Sequence, residues 1–122
     1  MTPTTLYHNP RCSKSREALK LLQDAGESFV QINYLEQPPS QGTLSELVKT
    51  VDTGFAGMIR RKDLAKTGLS AADMPATPEE AVSLLAQHPE LMERPLVVID
   101  GQTIVARPPD KLVPLLGTGT TT

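Results

Sequence analysis

The apolar positions along this chain change period twice, from a mixed opening to a helical middle and back to strands. Residues 4–7 read T-T-L-Y, a short β-favouring run that Asn9-Pro10 breaks. Over residues 13–25, Ala18, Leu19, Leu21, Leu22 and Ala25 recur at helical spacing, and Gly26 follows as a stop. Residues 29–34, F-V-Q-I-N-Y, alternate as a half-buried strand should. Strand, helix and strand in this order predict a parallel pair joined by a right-handed crossover.

The middle block carries no strand signal. After the turn Gln37-Pro38-Pro39-Ser40, residues 43–51 predict a helix with Leu44, Leu47, Val48 and Val51 on one face. Residues 54–63 are a second, shorter helical candidate, weakened by Gly54 and Gly57. Thr77-Pro78-Glu79-Glu80 is a helix start with a cap, a first-turn proline and acids at the positive end of the dipole. His88-Pro89 ends that helix, and residues 90–93 have room for one more turn.

Strands then return. Residues 96–99 (L-V-V-I) and 103–106 (T-I-V-A) flank Asp100-Gly101, a strong hairpin dipeptide. Residues 110–116 predict a last short helix with Pro114 awkwardly inside it, and the Gly/Thr tail at 117–122 predicts disorder. The expected fold is α/β: a mixed four-stranded sheet in the thioredoxin order within one domain over residues 1–116. A helical insertion of about 38–93 separates its second and third strands.

Composition narrows the function. At 122 residues, 39% hydrophobic and 21% charged, the chain has room for one globular core. A net charge of −2 argues against nucleic-acid binding through bulk charge. No apolar run approaches the roughly 18 residues that cross a bilayer. Residues 1–6 lack a secretory pattern, so neither membrane nor export is expected. The single cysteine, Cys12, cannot form an internal disulfide, which favours the cytoplasm. Redox chemistry at Cys12 would need its second thiol from another molecule. Two histidines and one cysteine spread along the chain make no metal-ligand pattern, so no metal is expected.

A lone cysteine is by default a small buried hydrophobe. Cys12 departs from this because it follows a strand, opens a helix and has His8, Arg11, Lys14 and Arg16 within four residues. Free helix N–H groups and nearby cations stabilise a thiolate and make it a nucleophile. Ser15, three residues on, makes the motif C-x-x-S and can offer a hydroxyl hydrogen bond to the thiolate. Arg94 and Arg107 border the ends of the predicted hairpin, so they can lie side by side. His88 reads as a surface residue at a helix end.

H-N-P-R-C-S-K-S-R at 8–16, Y-L-E-Q-P-P at 34–39, R-P-L-V-V at 94–98 and A-R-P-P at 106–109 together resemble the glutaredoxin-dependent arsenate reductase family of the thioredoxin-like superfamily. The resemblance runs over about residues 4–116. It implies that Cys12 attacks arsenate held by Arg60, Arg94 and Arg107, with Arg61 beside Arg60 leaving that choice open. It implies that glutathione, as co-substrate, and glutaredoxin then supply electrons, with no bound cofactor. It also implies a cis peptide bond at Pro95 facing the cysteine, and a role for His8 in holding the thiolate. Family members usually extend a longer last helix than Pro114 and the tail allow here. Two alternatives share the fold: another glutathione-linked thiol oxidoreductase, and a redox-sensing regulator that binds RNA polymerase. The C-x-x-S motif and the arginine set argue against the regulator.

Overall fold

The structure, a computed structural model, describes residues 4–116, so the tail at 117–122 lies outside the described residues. Strand β1 (Thr4–His8) leads into helix α1 (Ser13–Asp24) and strand β2 (Phe29–Asn33). β1 and β2 pair in parallel, with Thr4 opposite Phe29 and His8 opposite Asn33. Strands β3 (Leu96–Ile99) and β4 (Gln102–Val105) form the hairpin, with Asp100 and Gly101 both at positive φ, as a two-residue turn requires. β3 lies antiparallel to both β1 and β4, so the sheet order is β2-β1-β3-β4. This is the mixed four-stranded α/β sheet of a thioredoxin-like fold.

Strand alternation divides the core between two faces. Leu6, Val97, Ile99 and Ile104 point to the side where Ala18 and Leu22 of α1 and Leu112 pack. Tyr7, Leu96 and Val105 point to the other side, where Leu44, Leu47, Met58, Leu85, Leu91 and Met92 of the insertion cover them. Gly26 (φ +70) ends α1 in a Schellman motif, with Gly26 N–H donating to Gln23 O and Glu27 N–H to Leu22 O. That stop turns the chain back into the edge strand β2.

The insertion is helical but less regular than its pattern suggests. Helix α2 (Gln41–Thr50) begins two residues before the expected start, because Ser40 is the cap and its Oγ accepts from Thr43 N–H. The helix expected over 54–63 is instead two 3-10 segments, Phe55–Met58 and Arg61–Thr67. Between them Ile59 is extended and bridges antiparallel to Met92. Arg60 N–H donates to Leu91 O and Glu93 N–H to Met58 O, both at 2.7 Å. This two-rung pairing buries Met58, Ile59, Leu91 and Met92, which an α-helix through 54–63 would not do. Helix α3 (Pro78–Gln87) starts at the Thr77 cap, as its sequence requires.

At the C-terminus a 3-10 turn (Pro109–Leu112) precedes helix α4 (Val113–Leu116). Pro114 therefore falls in the first turn of α4, where its missing N–H costs nothing. Among the described residues no helix is long and apolar enough to cross a membrane.

Leu22 is fully buried between α1 and the sheet. Leu22→Ala is expected to lower the free energy of unfolding by about 2–5 kcal/mol, measured by denaturant titration, whereas Val30→Ala on the exposed edge strand should cost far less.

Candidate active site

The turn after β1 places the thiol. Cys12 N–H donates to Asn9 O at 3.0 Å, and Asn9 Oδ1 accepts from Arg11 N–H, so the turn closes on itself. Cys12 then stands in extended conformation as the N-cap of α1, and its carbonyl takes the first helical bond from Arg16. The thiol is half-buried. Burial pushes its pKa up, but the backbone N–H groups of Ser15 and Lys14 and the Arg94 guanidinium outweigh burial, and the pKa falls below its ordinary value.

The local cations do not act as expected. Arg11 and Arg16 are exposed, with Arg16 donating to Pro10 O, and Lys14 helps through its backbone N–H. The charge that matters comes from Arg94, far away in sequence. Ser15 also differs from expectation. Its hydroxyl, fully buried, lies 2.7 Å from His8 Nδ1 and accepts from Asn9 N–H, while its backbone N–H is what reaches the sulfur. Burial and repulsion from Arg16 lower the pKa of His8. A neutral, buried His8 bonded to Ser15 bears on Cys12 through that serine and the turn, not as a cation beside the thiol.

Three arginines gather on the thiol side. Arg107 Nη1 is 4.0 Å from Cys12 Sγ and donates to Arg94 O at 3.0 Å. The Arg94 guanidinium lies close enough to the sulfur to favour its charged form. Arg60 feels the same charge and is largely buried, at 13% side-chain exposure. Arg61 is exposed, so Arg60 is the one turned inward. The Arg94–Pro95 and Arg107–Pro108 peptide bonds are both cis, and Pro95 O accepts from Ala106 N–H, which holds the two arginine-bearing segments together. Arg94 Nε is a buried donor without a hydrogen-bond acceptor, so the cluster has unused capacity for an oxyanion.

Sequence reasoning missed two acids in this cluster. Asp63 Oδ2 lies 3.0 Å from Arg60 Nε and 3.5 Å from Arg94 Nη1. Glu93 Oε1 lies 3.0 Å from Arg60 Nη1 and 3.9 Å from Arg107 Nε, and it accepts from Arg94 N–H. Only their positions beside Arg60 and Arg94 hinted at this, and adjacency in sequence is a weak signal. Tyr34, fully buried, completes the wall; burial raises its pKa and Asn9 Nδ2 donates to its hydroxyl.

A thiol of lowered pKa at a helix start, with arginines gathered on its side and a cis-proline next to one of them, sits here on a thioredoxin-like fold. Residues 7–113 match the model of the ArsC family, and the chain belongs to that family. It is 38% identical over 113 residues to the uncharacterized protein YfgD of Escherichia coli (strain K12), covering 92% of this chain and 95% of that one. It is 34% identical over 117 residues to the arsenate reductase of Neisseria meningitidis serogroup A, covering 95% and 100%. The structure of an arsenate reductase from Vibrio cholerae superposes with a TM-score of 0.81 at 36% identity, covering 92% and 96%.

The Cys12 alkylation rate against pH should inflect below the ordinary range for a free cysteine. Arg94→Ala should move the inflection up, because it removes a cation from the thiolate. Ser15→Ala should move it less, since the backbone N–H stays. An inflection insensitive to Arg94 would contradict this electrostatic account.

Proposed function

We propose that this protein is an arsenate reductase that uses Cys12 as nucleophile and draws electrons from glutathione and glutaredoxin. The observation that carries this reading is the Cys12 thiol, its pKa lowered, lying against Arg107 and within the field of Arg94, with Arg60 close enough to feel its charge. Planar guanidinium forks match the edges of a tetrahedral oxyanion and neutralise its charge, which otherwise repels a thiolate.

In this reading the Cys12 thiolate attacks As(V). An S–As bond forms, an As–O bond breaks, and the oxygen leaves as water after taking a proton. Glutathione displaces a second oxygen as water, leaving As(V) bonded to two sulfurs. A glutaredoxin thiolate then attacks the glutathione sulfur. The electron pair of that S–As bond passes to arsenic, giving As(III) and glutathionylated glutaredoxin. Water cleaves the remaining S–As bond, releasing arsenite and Cys12. Glutathione is a co-substrate here and no resident cofactor is needed. With Cys12 the chain's single cysteine, the second thiol has to come from outside. The cytoplasm, where glutathione is kept reduced, suits this chemistry. His8 and Ser15 contribute by holding the turn that presents Cys12.

Cys12→Ser should abolish arsenite production while leaving the circular dichroism spectrum unchanged; retained activity would end the proposal. Charge-assisted bonds worth about 1.5–3 kcal/mol predict that Arg94→Ala or Arg107→Ala lowers kcat/KM by about ten- to a hundredfold. Lysine at either position should restore only part, for lack of the bidentate fork. Arg60→Ala should be much more damaging than Arg61→Ala.

Activity should rise with pH through the Cys12 pKa and then level off, because the thiolate is the reacting form. Turnover should also stall when glutathione or glutaredoxin is left out. Full turnover with thioredoxin alone would show that the electron route is wrong.

A further inference from the structure

Three guanidinium groups around one sulfur would by themselves make a strong anion trap. Asp63 and Glu93 stand among them, Asp63 touching Arg60 and Arg94, and Glu93 touching Arg60 and Arg107. Both side chains are mostly buried, at 12% and 19% exposure, so their charges are poorly screened. The two carboxylates and a Cys12 thiolate offset the three arginines one for one, and the mostly exposed Lys66 ammonium also lies 3.4 Å from Asp63. The groups that bear on the sulfur are therefore Arg60, Arg94, Arg107 and Tyr34, with the N–H groups of Lys14 and Ser15, and the two acids bear on those arginines.

We infer that Asp63 and Glu93 are positioning residues that cap the charge of the oxyanion pocket, so that tetrahedral oxyanions that do not react with Cys12 are held only weakly. While Cys12 is a thiolate, an unreactive phosphate or sulfate meets arginines whose charge is already offset, with only the solvent-screened Lys66 beside Asp63 to add to it. Once the sulfur spends its charge on a bond to the substrate, the pocket becomes net positive and grips the anionic adduct. Discrimination thus follows reactivity, where size and shape separate tetrahedral oxyanions poorly. This inference rests on the oxyanion site proposed above. The same acids hold the guanidinium forks together, where Coulomb repulsion would otherwise splay them.

The test uses inorganic phosphate and sulfate as probes, with affinity read from protection of Cys12 against iodoacetamide at fixed pH and ionic strength. Glu93→Gln and Asp63→Asn keep the side-chain shape and an acceptor oxygen while removing the charge. Each should tighten phosphate and sulfate binding by about three- to tenfold and lower the pH at which Cys12 alkylation inflects. Glu93→Asp and Asp63→Glu keep the charge and should leave both readouts near wild type, whereas a purely structural role would disturb both kinds of variant alike. Asp24→Asn is the control. Asp24 pairs with Lys20 at the far end of α1, roughly 18 Å along the helix from Cys12, and should change neither readout. Phosphate affinity that is unchanged or weaker in both amide variants overturns the inference. No readout involves arsenate, so absence of arsenate turnover would sink the proposed function and leave this inference standing.

Discussion

Three guanidinium groups cannot share one pocket unless something of opposite charge lies between them, and the site depends on meeting that constraint. At an effective dielectric of about 20, two like charges 5 Å apart repel by roughly 3 kcal/mol. Asp63 and Glu93 offset this repulsion by interleaving with Arg60, Arg94 and Arg107. The cluster in turn requires two distant pieces of chain to meet. The rungs between Met58–Arg60 and Leu91–Glu93 provide that meeting, and the apolar side chains they bury supply its free energy. The insertion is therefore part of the site, because it carries Arg60 and Asp63 to the end of the sheet.

The other half of the site depends on α1. A helix start leaves N–H groups without partners, and here the thiol sulfur takes that place. The Ser15 hydroxyl is engaged by His8 and Asn9, and it is the Ser15 backbone N–H that reaches the sulfur. The consequence is a rigid turn, tied from β1 to α1 by a buried serine, that fixes where the sulfur stands relative to Arg94 and Arg107. Reactivity and architecture are thus coupled. The same packing of α1 on Leu6, Val97 and Ile104 that stabilises the sheet also aims the N-terminus of α1 at the arginines.

Much of this was legible in the residues. The β-favouring runs of β1 to β4, the periodicity of α1, the Asp100-Gly101 turn and the Thr77 cap are local signals, each set by neighbours within a few positions. Cys12 at a helix start was legible for the same reason, as was the pairing of Arg94 with Arg107 across a hairpin. Family resemblance extended this to Arg60 and to Pro95. The irregular stretch from Gly54 to Thr67 was not legible, since its conformation answers to Leu91 and Met92 and not to its own periodicity.

By itself, then, the sequence determined the order of strands and helices, the single cysteine, and that any dithiol chemistry there would need a thiol from outside. These follow from short-range propensity and from counting cysteines. Tertiary structure alone decided that Arg94, and not the neighbouring Arg11, Lys14 or Arg16 side chains, charges the environment of Cys12. It also decided that Arg60 turns inward while Arg61 faces solvent, that Ser15 serves His8, and that Asp63 and Glu93 join the cluster. The physical reason is range. Electrostatic and hydrogen-bond partners are chosen by distance in space, and residues more than thirty positions apart become neighbours only after the apolar faces have packed.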